Sequence, residues 1–165
     1  SPPPPPPPPC HFCAIPTTCW AADWRLLLRA PAEGLALVTQ LEEAAWSCME
    51  EQFLSSEAWC AKHLRGAPPT DAASRAALRS HVVCGCNFPP SQFQLHLQFF
   101  LMPWLPSHYK AFTDGALPRR RWFPLKYIKG LLSLNQPMAV ELDTSLDEIF
   151  EVFDSQLSYD DAFDQ

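Results

Sequence analysis

Between residues 93 and 101 the chain alternates with a period of two. Phe93, Leu95, Leu97, Phe99 and Leu101 fall on one side, and Gln94, His96 and Gln98 on the other. Five large apolar side chains on one face of an extended segment must be buried, so the stretch predicts a strand lying on a core. Just upstream, 81–87 is rich in Val and Cys, and Pro89-Pro90-Ser91 supplies a turn. The two segments predict a β-hairpin over about 84–106, closed by Pro103 and Pro106 because proline cannot donate to a ladder.

Elsewhere the pattern is helical. Leu35, Val38, Leu41, Ala45, Met49 and Phe53 recur at steps of three and four, predicting a helix over 32–54. Asp71 is placed to cap a short helix reaching Arg79, and a further helix is expected over 125–134. Ser145 with Glu148 three residues on is a capping box, followed by the stripe Leu146, Ile149, Phe150, Phe153 and Leu157. Residues 159–165 are expected to fray, and 24–29 fit either a strand or the start of a helix. The fold class is therefore α+β, an antiparallel sheet flanked by helices.

A length of 165 residues suits one core. Eight of the 19 prolines form the run Pro2 to Pro9, a polyproline II arm outside the fold that is either a solvated tail without a role, a spacer, or a ligand for a proline-reading domain. Three regions result: the arm, 1–9; a domain, 10–140; and an acidic amphipathic helix with its tail, 141–165. Nine of the 18 acidic residues lie in that last region, which has no Lys or Arg, so the remaining nine face all twelve bases and the body carries about +3. A mildly basic body fits a phosphate-bearing small ligand better than a long nucleic acid. Arg119-Arg120-Arg121 either steers such an anion or balances the acidic end. No stretch nears the roughly 18 apolar residues of a spanning helix. Seven scattered cysteines, an odd count, suit a reducing compartment, either cytoplasm or nucleus.

The polar face of the 93–101 segment sets an imidazole between two amides. A histidine held this way can attack phosphorus through one ring nitrogen while a hydrogen bond pins the other. A solvated sheet face has the same pattern, so alternation alone leaves both readings open. The residues Gln94-Leu95-His96-Leu97-Gln98 resemble the signature of the histidine-triad (HIT) superfamily, in which His, apolar, His, apolar, His repeats along one strand. Here Gln94 takes the place of the first histidine, and the ending His96-Leu97-Gln98 resembles the family's transferase branch. The resemblance covers 82–106, with a weaker patch at 10–15, and implies a HIT-like fold shortened in its first half.

It further implies a nucleotide hydrolase or nucleotidyl transferase with His96 as nucleophile. Ser91 and Gln98 would hold the oxygens of the reacting phosphate, Gln94 would order the polar face, and Asn87 opens the segment that replaces the family's glycine-rich loop. The implied ligand is a nucleoside phosphate or dinucleoside polyphosphate, and the family often forms homodimers. Cys10-His11-Phe12-Cys13 resembles the Cys-x-x-Cys of some members, where it helps bind a structural zinc. Cys10 and Cys13 would then need two more ligands from His11, Cys19, His63 and His81. The alternative is a catalytically silent relative that acts as a binding or scaffold module through the arm and the acidic helix.

Overall fold

Four strands, β1 (Cys10–Ala14), β2 (Val83–Asn87), β3 (Leu97–Leu101) and β4 (Trp122–Pro124), form one antiparallel sheet in the order β1-β3-β2-β4. The computed structural model describes residues 10–64, 68–101 and 119–164. The expected hairpin is present, with Val83 opposite Phe100, Cys84 opposite Phe99 and Gly85 opposite Gln98.

Its second strand is shorter than the alternation implies. Residues 91–94 bend, Phe93 is 77 % exposed, and ladder pairing starts only at Leu97. Alternation records which side chains could share a face, not where a paired neighbour exists. Pro89 and Pro90 offer no N–H, so pairing cannot propagate through the turn. The segment 10–14, which carries Cys10 and Cys13, is the edge strand that pairs with β3 from Cys10↔Leu101 to Ala14↔Leu97.

The helices cover one face. Between Trp24 and Arg29 the chain forms a 3-10 helix, capped by the Asp23 carboxylate accepting from Arg25 N. It is followed by α1 (Pro31–Met49), whose last turn widens into a π-turn over Glu50–Leu54. Pro31 stands at the first turn of α1, where its missing N–H is no loss. Next come α2 (Glu57–His63) and α3 (Ala72–Arg79), capped by Ser56 and, as expected, by Asp71. Then follow α4 (Leu125–Ser133), α5 (Leu146–Phe153) and α6 (Tyr159–Asp164). Asn135, at φ 50°, takes the left-handed conformation that ends α4. Among the described residues, no helix is long and apolar enough to cross a membrane.

Leu97, Cys86 and Phe123 from the sheet, with Leu95 just before β3, pack with Trp24, Leu28, Val38, Tyr127, Ile128, Ile149 and Phe153 in the main core. A second cluster joins Phe99 and Leu101 to Trp46, Met49, Leu54 and Cys60. The C-terminal region closes this core. Tyr159 and Ala162 are buried in it, so the expected fraying gives way to helix α6. Tyr159 Oη donates to Trp122 O at 2.7 Å and accepts from Arg120 N at 2.8 Å, which ties α6 to β4.

The capping box on α5 is complete in both directions. Ser145→Ala should cost about 0.5–2 kcal/mol in urea unfolding, the usual loss for such a cap. Donation by the Ser145 N–H and hydroxyl holds the Glu148 carboxyl below its ordinary value of 4.5. This contribution is therefore present above pH 4.5 and fades as pH falls through the lower folded-state value. Ser145→Ala keeps the N–H donor and loses the hydroxyl, so it should reduce that part of the acid titration of stability without abolishing it.

Candidate functional site

His96 lies where the 88–96 connection enters β3, and it is 7 % exposed. Its Nδ1 is 2.9 Å from the carbonyl oxygen of Gln94. A carbonyl can only accept, so Nδ1 carries the proton and Nε2 the lone pair. The fully enclosed polar side-chain atoms without a partner are Trp24 Nε1 and Tyr127 Oη among the described residues. His96 Nε2 is not one of them, and it makes no hydrogen bond to a described residue. Ala22, Asp23, Trp24, Cys86, Asn87, Pro90, Gln94 and Leu95 line a shallow crevice with His96 that is too tight to admit a water molecule. Continuing the β2–β3 register sets Asn87 across from His96.

The remaining residues singled out by sequence do not converge on Nε2. Gln94 is spent on the chain before the 3-10 helix, its amide donating to Pro16 O at 3.2 Å and to Cys19 O at 3.4 Å. That bond and Leu95 N to Ala21 O at 2.6 Å fasten the 16–21 segment to the entry of β3. Gln98 lies opposite Cys13 on the sheet face away from the main core, where its side chain bonds His11. His11 stacks on Phe100 at 4.1 Å, and burial against its neighbours holds its pKa below the ordinary imidazole value. Ser91 is exposed in the bend. The polyproline arm lies outside the described residues.

Cys10 and Cys13 are four and one residues from the C-terminal end of an extended strand. At about 3.3 Å per residue their Cα atoms stand roughly 10 Å apart along the strand. The described residues contain no group of three or more His, Cys, Asp or Glu side chains gathered for a metal. Burial raises the thiol pKa of Cys13, Cys84 and Cys86, the last to about 12, so none of the three is an activated nucleophile.

Sequence reasoning missed the buried pair Asp23–Arg25. Both side chains are 4 % exposed and joined at 2.9 Å. Arg25 also donates to Thr144 O and Leu142 O, and its guanidinium lies 4.2 Å from the centre of the Phe88 ring. The available signal was Asp23 two residues before Arg25, at the head of an apolar run, which is a helix-cap pattern.

Two residues of the basic triplet pair with the acidic end: Arg119 with Asp160 at 2.6 Å and Arg120 with Asp147 at 2.9 Å. Arg121 is exposed, and its guanidinium has no partner among the described residues.

Compared with protein-family models, with curated proteins and with solved structures, the chain matches none.

Proposed function

We propose that the chain is a histidine-triad-like nucleotide hydrolase or nucleotidyl transferase working through a nucleotidyl-histidine at His96. The observation that carries this reading is the 2.9 Å bond from Nδ1 to Gln94 O, which fixes the tautomer and leaves Nε2 free of bonds to the described residues. In the first step the Nε2 lone pair attacks the α-phosphorus. The P–N bond forms as the P–O bond to the leaving group breaks, and the leaving group departs with that electron pair. The ring becomes a phosphorylated imidazolium, whose Nδ1–H bond to Gln94 O strengthens as positive charge develops. In the second step water attacks phosphorus, the P–N pair returns to the ring, and the proton of the water passes to solvent. A second phosphate in place of water gives transfer instead of hydrolysis.

Asn87, across from His96, supplies a donor to the phosphate oxygens, and Ser91, in the 88–94 connection, joins it once that connection closes on the substrate. Gln98 orders the strand through His11. At 7 % exposure, access to His96 requires the 88–94 connection to give way as substrate enters.

The narrow opening, together with the engagement of Gln94 by Pro16 and Cys19, favours a second reading: a silent relative that serves as a binding or scaffold module. Turnover separates the two. On the catalytic reading, His96→Ala lowers hydrolysis of a dinucleoside polyphosphate by about 1000-fold or more. A trace rate equal in wild type and variant supports the scaffold.

A further inference from the structure

We infer that the open groove beside Trp20 is the docking place of the chain's own proline run, Pro2–Pro9. The inference is independent of any chemistry at His96.

The groove lies between the 19–21 segment, the 3-10 helix and α1, and holds about 520 Å³. Its apolar lining includes Trp20, Ala21, Leu26, Leu27 and Leu37. Trp20 is 64 % exposed, yet its indole is held in place, because Nε1 donates to Phe93 O at 3.0 Å. A fixed, exposed indole beside an apolar trough is the kind of surface on which proline rings pack. The polar groups agree with that occupant. A proline run brings carbonyl acceptors and no N–H donor. At the rim the Gln40 amide, exposed and without a partner among the described residues, offers donors, whereas Arg29 is committed to Val140 O and Glu141.

The length of the run matches the distance. Cys10, which follows the run, is opposite Leu101, and Ala14 is opposite Leu97. Ala21 O accepts from Leu95 N, so the groove begins beside Leu95. From Leu101 back to Leu95 is roughly 20 Å of extended chain. Eight prolines in a polyproline II helix span about 25 Å. Running back along β1, which is an edge of the sheet, the first prolines of the run reach Trp20. Ile15, 43 % exposed, lies on that path. A polyproline II segment is extended before it binds, so docking it costs little conformational entropy.

The test is hydroxyl-radical oxidation of Trp20, read by peptide mass, in the full chain and in a variant carrying Pro2→Ser through Pro9→Ser. A short tether sets a local concentration of about 1 mM, so an affinity of about 0.1 mM covers Trp20 roughly 10-fold more often than it leaves it open. The expected result is that Trp20 oxidises roughly 10-fold more slowly in wild type than in the variant, to the same extent on dilution. Trp24, 1 % exposed, stays unreactive in both as the sign of an intact core. Free octaproline at about 1 mM should restore protection to the variant. Equal oxidation of Trp20 in the two proteins overturns the inference, as does octaproline that fails to protect it. Protection that fades on dilution places the run on a second copy and overturns docking within one chain.

Discussion

Gly85→Val is expected to destabilise the protein by about 3 kcal/mol or more, at the upper end of what overpacking a core costs. Gly85 sits in β2, between β3 and β4, opposite Gln98 on one side and Pro124 on the other. A Cβ there would lie 2.4 Å from the carbonyl oxygen of Phe123 and 2.7 Å from the indole ring of Trp122. The nearer atom is backbone, held by the sheet, so no rotamer change relieves it. Trp122 is itself buried, and the absence of a side chain at Gly85 is what lets its ring lie across the strand. Either β4 moves off the sheet or β2 bends, and in both cases Phe123 leaves the main core. Urea unfolding of Gly85→Val and Gly85→Ala beside Ser91→Ala checks this. Ser91 is exposed, and its variant should fall within about 0.5 kcal/mol of wild type. A Gly85→Val protein with wild-type unfolding would show the β2–β4 packing to be wrong.

Arg25→Met is expected to lose about 3–5 kcal/mol, the range for breaking a buried ion pair by removing one partner. The methionine fills similar volume, so the loss is not chiefly one of packing. It leaves the Asp23 carboxylate buried without its cation and strands the carbonyls of Thr144 and Leu142. Those carbonyls anchor the loop that leads into α5, so the damage spreads from the 3-10 helix to the C-terminal region. Adding Asp23→Asn removes the orphan charge while keeping an oxygen to cap Arg25 N, and the double variant should regain part of the loss. If Arg25→Met alone unfolds like wild type, the pair does not hold these two segments together.

How far these features could be read from sequence depended on the range of the interaction. The helix α1, the Asp71 cap, α4 and the Ser145–Glu148 box all follow from neighbours within four residues, and each was legible. The strands were legible only where both face and length spoke. β3 stood out by its alternation, whereas β4 has three residues, ends in Pro124 and has too little pattern to register. β1 is five residues of mixed character whose strand identity comes from its partner β3, more than 80 residues away. The burial of Tyr159 depends on Trp122 and Arg120 in the same way.

The candidate site divides along the same line. The place of His96 on an amphipathic segment was visible in the alternation. The direction of its flanking amides was not, because Gln94 finds its acceptors 78 and 75 residues back, at Pro16 and Cys19.

The central claim is covalent chemistry at His96, and the mass of the intact protein tests it most directly. Wild type and His96→Ala are incubated briefly with dinucleoside polyphosphates and nucleoside phosphoramidates, quenched, and weighed without acid. A gain of one nucleotidyl group on wild type alone, lost on acid treatment, is the predicted result, and the mass increment names the nucleotide. An unmodified wild type that forms no product and gains no thermal stability from any of these ligands would contradict the claim and leave the scaffold reading in its place.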